Sequence, residues 1–329
     1  MIVRPLKNNI QLSIIILLLL CFGTWGCSFM FENQDNSLIN YKEHILYYLF
    51  FGKGLSILSN HLITLLVILL GAFFVNFLAI EQEVTSKTNY LPAFFYILFA
   101  FSASTKSTIE PLLVANIFIL PALYFLMQSY RQDSALSAFF KAGLFMGLSS
   151  FFCIHYIIVF PLSFFALIIL RPFNWREWSI LLIGLITPLY IYASLSYLNT
   201  NQAFTVFNMM KEATSTMQKP IISEYYLTLI IVSCLTMGFG LIHYFGKGFG
   251  GKVKTQKTKY ILLWLFAFCL LMGFFEQVSD MILLPCIIPM SILIGDYLSE
   301  IKQIKIANTL LFLFLAGFSI IYFHALGII

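Results

Sequence analysis

The sequence predicts an all-α fold, a polytopic bundle of about eleven transmembrane helices with short interfacial helices on its outer face. Three observations predict it. Residues are 60% hydrophobic and 10% charged, against about 25% charged in a soluble domain. Apolar runs recur along the whole chain and leave little room for a soluble domain, so residues 1–329 read as a single integral membrane domain. The basic residues are distributed unevenly between alternate loops.

The apolar segments are, in order, 10–31, 61–80, 91–103, 109–128, 138–153, 155–170, 178–198, 224–245, 260–277, 281–298 and 306–327. Arg4 and Lys7 precede the first, and TWGC ends at Cys27. The run continues apolar through Phe31, so an uncleaved first helix fits better than a signal peptide. The third and fifth segments are short, and 281–298 is interrupted by Pro285 and Pro289. Short and proline-broken helices survive in lipid where protein or a water-filled cavity covers the freed backbone.

Orientation follows from lysine and arginine. With the N-terminus in the cytoplasm, alternation places 14 of the 19 basic residues inside and 5 outside, and puts the C-terminus in the periplasm. The expected location is therefore the bacterial inner membrane. The same alternation gives the outer side eight acids and four histidines, His44, His61, His155 and His324. The basic residues are scattered among apolar runs, so the net charge of +5 reads as loop anchoring and not as a nucleic-acid surface.

Two outer loops are long, 32–60 and 199–223. Each mixes polar and apolar residues at rough helical spacing, as interfacial helices or aromatic-anchored connectors do. The cytoplasmic stretch GKGFGGKVKTQKTK (246–259) carries five lysines and reads as a flexible basic linker able to attract anionic headgroups. It has no G-x-x-x-x-G-K-[ST] and follows no strand, which excludes a P-loop. The six cysteines lie in or at the ends of apolar runs without C-x-x-C spacing, and read as small packing residues.

Candidate chemistry collects on the outer side. Glu32 and Asp35 follow the first segment at i, i+3, one face of a helix. Carboxylates there either bind a divalent cation, serve as general base, or solvate a helix end. Lys106 and Glu110 lie in SASTKSTIEP at i, i+4; they form a local ion pair, or Lys106 with its neighbouring hydroxyls holds a phosphate. Glu276 and Asp280 lie in FFEQVSD at i, i+4, where like charges repel unless one is protonated or a cation is present. His155 interrupts the hairpin FFCIHYIIVFP, as an interfacial histidine or a substrate contact. Glu81 and Glu83 read as a solvated turn. H-E-x-x-H, G-x-S-x-G and zinc-type ligand spacings are absent.

The opening MIVRPLKNN ahead of an apolar helix, and the corner LRPFNWREW (Leu170 to Trp178), resemble a family of bacterial polytopic inner-membrane proteins without a known activity. Its members are often labelled beta-carotene monooxygenases. Such oxygenases hold iron with four histidines on a soluble propeller, and this sequence offers neither. The early acid after an N-in helix, the outer interfacial helices and the short paired spans are also similar to GT-C-type membrane glycosyltransferases. That resemblance implies a polyprenyl-phosphate-linked sugar donor. It also implies Asp35 as base or metal ligand with Glu32 second, Glu110, His155, Glu276 and Asp280 in the substrate site, and Lys106 on phosphate. Two other classes stand beside it: a non-enzymatic subunit scaffolding protein partners in the envelope, and a transporter or flippase. The last predicts charged residues on facing helices, with Asn76, Asn116 and Asn308 as polar candidates.

Overall fold

The computed structural model describes residues 3–30, 56–85, 89–103, 109–132, 134–200, 231–240, 253–273, 283–301 and 303–325. Among these, all regular structure is helical. In chain order the helices are α1 (Val3–Asn8), α2 (Ile10–Met30), α3 (Ile57–Glu81), α4 (Leu91–Ala103), α5 (Pro111–Gln128) and α6 (Leu136–Phe152). A 3-10 helix (Ile154–Val159) leads into α7 (Pro161–Leu170) and α8 (Trp175–Thr200). The segment α9 (Ile231–Gly240) precedes α10 (Val253–Met272), α11 (Leu283–Glu300) and α12 (Ile304–Ala325). By length and composition, four are long and apolar enough to cross a membrane: those spanning Leu58–Glu81, Pro111–Gln128, Trp175–Ser194 and Leu283–Glu300.

The core is built around α11 and α4. Every residue from 91 to 102 is buried, which a 13-residue helix, about 20 Å long, achieves only inside other helices. It packs along α11, α3, α2 and α12. Phe95 and Phe99 stack at 6.0 Å, and Phe314 of α12 meets Phe95 edge-on at 5.1 Å. The other strong pairing is α6 on α8, through Gly143, Gly147 and Gly184. A side chain on Gly143 would collide with the Leu181 carbonyl, and one on Gly184 with the Phe140 carbonyl. The two backbones thus approach as in small-xxx-small pairs.

The cations have a structural role at one end of the bundle. The Lys7 ammonium donates to the Ser299 carbonyl at 2.5 Å, at the C-terminus of α11. Lys254 donates to Glu81 O at 3.0 Å, at the end of α3. Lys257 donates to Leu170 O at 3.2 Å, at the end of α7. Arg171 donates to Ser129 O at 3.2 Å and Gln132 O at 2.7 Å, just beyond α5. Four helix C-termini, each the negative end of a dipole with orphan carbonyls, are therefore capped by Lys or Arg from another segment. This is called the basic end below. It contains Arg171–Glu177 (3.1 Å) and a turn in which Glu83 is exposed at φ 57°.

Two expectations are corrected. The segment 155–170 is not one helix: a 3-10 turn carries residues 154–159, and Pro161 opens an α7 of ten residues, about half a bilayer long. Pro161 lacks an N–H, so the chain restarts there. The basic loop 246–259 ends early, because residues 253–259 form the first turns of α10. Their Lys, Gln and Thr side chains tolerate helix, and Lys254, Lys257 and Lys259 are each tied to a neighbouring element. In loop 32–60, residues 57–60 already belong to α3, whose N-cap Ser56 accepts from Ser59 N at 3.3 Å. The rest of that loop, residues 201–223 of the other, and residues 246–252 lie outside the described residues.

Candidate functional site

At the end of α5 away from the basic end, the chain gathers buried polar groups that hydrophobic segments do not require. Glu110 is the N-cap residue of α5, extended at φ −82° and ψ 131°, with Pro111 at the first helical position. Proline suits that position because its missing N–H would be an orphan there. The Glu110 side chain makes no capping hydrogen bond to the helix, yet it is 1% exposed. A carboxylate buried for a reason other than capping is a functional-site signal.

Cys153 closes α6 in extended conformation and turns the chain into the 3-10 helix. Its sulfur lies 3.7 Å from His155 Nδ1, and Glu110 is within electrostatic reach of it. His155 is 3% exposed. One residue on, the Tyr156 hydroxyl donates to Asn116 Oδ1 at 2.5 Å. Asn116 Nδ2 donates to the Leu284 carbonyl at 2.7 Å. That carbonyl belongs to the first turn of α11, which also holds Pro285, with Pro289 one turn further on. Asn116 thereby ties the 3-10 helix to the central helix through α5. Behind it, α10 and α11 pack together and bury Cys269 and Cys286.

This end of the bundle buries an imidazole and a thiol in contact, a Tyr156–Asn116–Leu284 relay beside them, and the Glu110 carboxylate. Carboxylate and imidazole are general acid–base groups, and their placement on helix ends fixes their geometry. Among the described residues no three His, Cys, Asp or Glu side chains converge as ligands for a metal ion.

A second polar locus lies on α10 and α11 near the basic end. Lys259 Nζ and Asp296 Oδ2 are 2.7 Å apart, with side chains 8% and 9% exposed. They line a small cleft of about 30 Å³ with Met237, Gly240, Leu293, Tyr297 and Glu300, room for about two waters. The two buried cysteines lie in the same register: Cys269 is ten residues along α10 from Lys259, and Cys286 ten residues back along α11 from Asp296.

Of the predicted site residues within the described part, His155 sits beside Cys153 and Glu110 is buried at the head of α5 in the same region. Asp35, Glu32, Lys106, Glu276 and Asp280 lie outside the described residues. Sequence reasoning gave no site role to Tyr156 or Asp296, and read Cys153 as a packing residue and Lys259 as part of the basic linker 246–259. Asp296 carried a usable signal, an acid inside an otherwise apolar segment. Tyr156 carried none, since tyrosine is common at membrane interfaces.

Fold and site define an α-helical bundle with helices able to cross a membrane and a polar cluster at one mouth. Residues 37–329 match the model of a family of unknown function, DUF6427, and the chain belongs to that family. No curated protein and no solved structure matches it.

Proposed function

We propose that the chain is a multi-pass protein of the bacterial inner membrane that acts as a GT-C-like transferase on a polyprenyl-phosphate-linked sugar at the periplasmic mouth of its bundle. The observation that carries this reading is Glu110, a carboxylate buried at the head of α5 without capping it. Lysine and arginine support the sidedness: the basic end takes the cytosol, with the N-terminus, and the Glu110 end takes the periplasm, with the C-terminus. Asp35 is then base or metal ligand, with Glu32 as second choice. Glu110, His155, Glu276 and Asp280 orient the substrate, and Lys106 contacts phosphate. A divalent cation, if Asp35 holds one, would offset the donor's phosphate charge.

Two experiments test this. A periplasm-active reporter fused after the first helix should light up; activity restricted to the cytosol would place the cluster in the wrong compartment. Protein in nanodiscs should release sugar from a polyprenyl-phosphate-linked donor, and Glu110→Gln should slow that release about a hundredfold at unchanged expression. Turnover by the variant equal to that of the native chain discards the assignment.

The transporter reading keeps one specific support. Lys259 and Asp296 form a buried ion pair across facing helices. Uptake into liposomes without donor turnover would favour it.

A further inference from the structure

The basic end carries a patch that helix capping accounts for only in part: Lys257 caps α7, and Arg131 caps nothing among the described residues. Tyr130, in the turn after α5, has two cations over its ring: the Arg131 guanidinium carbon at 5.3 Å from the centroid and Lys257 Nζ at 5.1 Å. The two charges are therefore at most about 10 Å apart. Among the described residues neither meets a carboxylate. Arg171 nearby is different, since Glu177 neutralises it at 3.1 Å and its Nη1 is committed to two carbonyls. Lys257 donates to the Leu170 carbonyl, which leaves two of its three N–H bonds. Arg131 adopts φ 60°, a left-handed conformation that glycine or asparagine takes more easily. Backbone preference therefore does not explain an arginine there. Two cations around one ring add to a positive surface that an anion would complement.

The position of the patch identifies the anion's source. It follows the C-terminus of α5 and faces the corner that opens α8, two helices long and apolar enough to cross a membrane. That corner exposes Phe173 (75%) and Trp175 (69%), aromatic residues of the kind that sit at headgroup depth. Phe173 packs on Trp178 at 5.2 Å, so the corner is a built surface.

We propose that Arg131 and Lys257, held around Tyr130, bind the headgroup phosphate of an anionic glycerophospholipid, with Phe173 and Trp175 against its glycerol and acyl region. The site uses the sidedness proposed above only to say which leaflet supplies the lipid. It is independent of the transferase reading, because it lies at the other end of the bundle from Glu110.

The test is native mass spectrometry of the full chain released from detergent micelles doped with phosphatidylglycerol or phosphatidylcholine, which have no sidedness. The native chain should retain phosphatidylglycerol in preference to phosphatidylcholine. The pair Arg131→Ala with Lys257→Ala should lose that retention by about thirtyfold, from roughly a factor of five per cation removed at a membrane surface. Arg131→Gln alone, an exposed change in a residue with no carboxylate partner among those described, should lose about fivefold. It keeps the test valid if the double variant unfolds. Lys141→Ala removes a single cation over Phe125 and should change nothing. Retention by Arg131→Gln equal to that of the native chain overturns the proposal, as does equal retention of the two lipids. Displacement by inorganic phosphate at the lipid's own concentration overturns it too, since the site would then serve the free ion.

Discussion

Replacing Gly143 with leucine should unfold the α6–α8 half of the bundle. The Cβ of any side chain there would overlap the Leu181 carbonyl oxygen and lie 3.0 Å from Leu185 N. Both are backbone atoms of α8, so no rotamer relieves the clash and the helices must separate. Gly147 reinforces the contact, with its Cβ position 2.7 Å from the Leu185 carbonyl. Overpacking a well-packed core costs about 1–3 kcal/mol, and more when backbone must move. Here α8 has little else to hold it, since only 17% of its most apolar window is buried within the molecule. We expect at least about 3 kcal/mol of destabilisation. It should appear as a lowered thermal midpoint and loss of the monodisperse peak in detergent. Gly23→Ala in α2 is the matched control, because nothing lies within 4 Å of its Cβ position. That change should leave stability unchanged or raise it by up to about 1 kcal/mol through helix propensity. Equal behaviour of the two variants would show that α6 and α8 do not meet at Gly143.

Breaking the Lys259–Asp296 pair should have a comparable effect by a different mechanism. Both side chains are over nine-tenths buried, at a 2.7 Å separation, between α10 and the central helix. Removing the acid alone by Asp296→Leu takes the 2.7 Å partner from a buried ammonium, a loss of up to about 3–5 kcal/mol. Replacing both, Lys259→Met with Asp296→Leu, removes the charges together and should restore most of the stability. The double-mutant cycle separates this account from simple packing loss, which would make the double variant worse than either single one. Thermal unfolding of the three variants in the same detergent decides between the two.

The legible part of this protein is its one-dimensional pattern. Apart from 155–170, apolar runs gave an α-helix at each expected segment that falls within the described residues, because helix satisfies the backbone of an apolar run internally. The uneven lysine and arginine distribution was legible too, and the structure gives those residues further work as caps on α3, α5, α7 and α11. The break at Pro161 was readable from proline but was passed over, because the hydropathy on either side of it is continuous. The G-x-x-x-G spacing of Gly143 and Gly147 was also in plain view.

Glu110 and His155 were named from the sequence as polar interruptions, and their company was not. Cys153, Tyr156, Asn116 and the Leu284 carbonyl are scattered over 168 positions between Asn116 and Leu284, and only the packing of α5, the 3-10 helix and α11 brings them together. Sequence by itself determined that this chain is helical, apolar and sparsely charged, since each of those properties is set by residues near one another in the chain. Which charges pair, which helices touch and which cations share a ring were decided only by tertiary structure. Those outcomes depend on distances between residues far apart in the chain, which helix packing alone fixes.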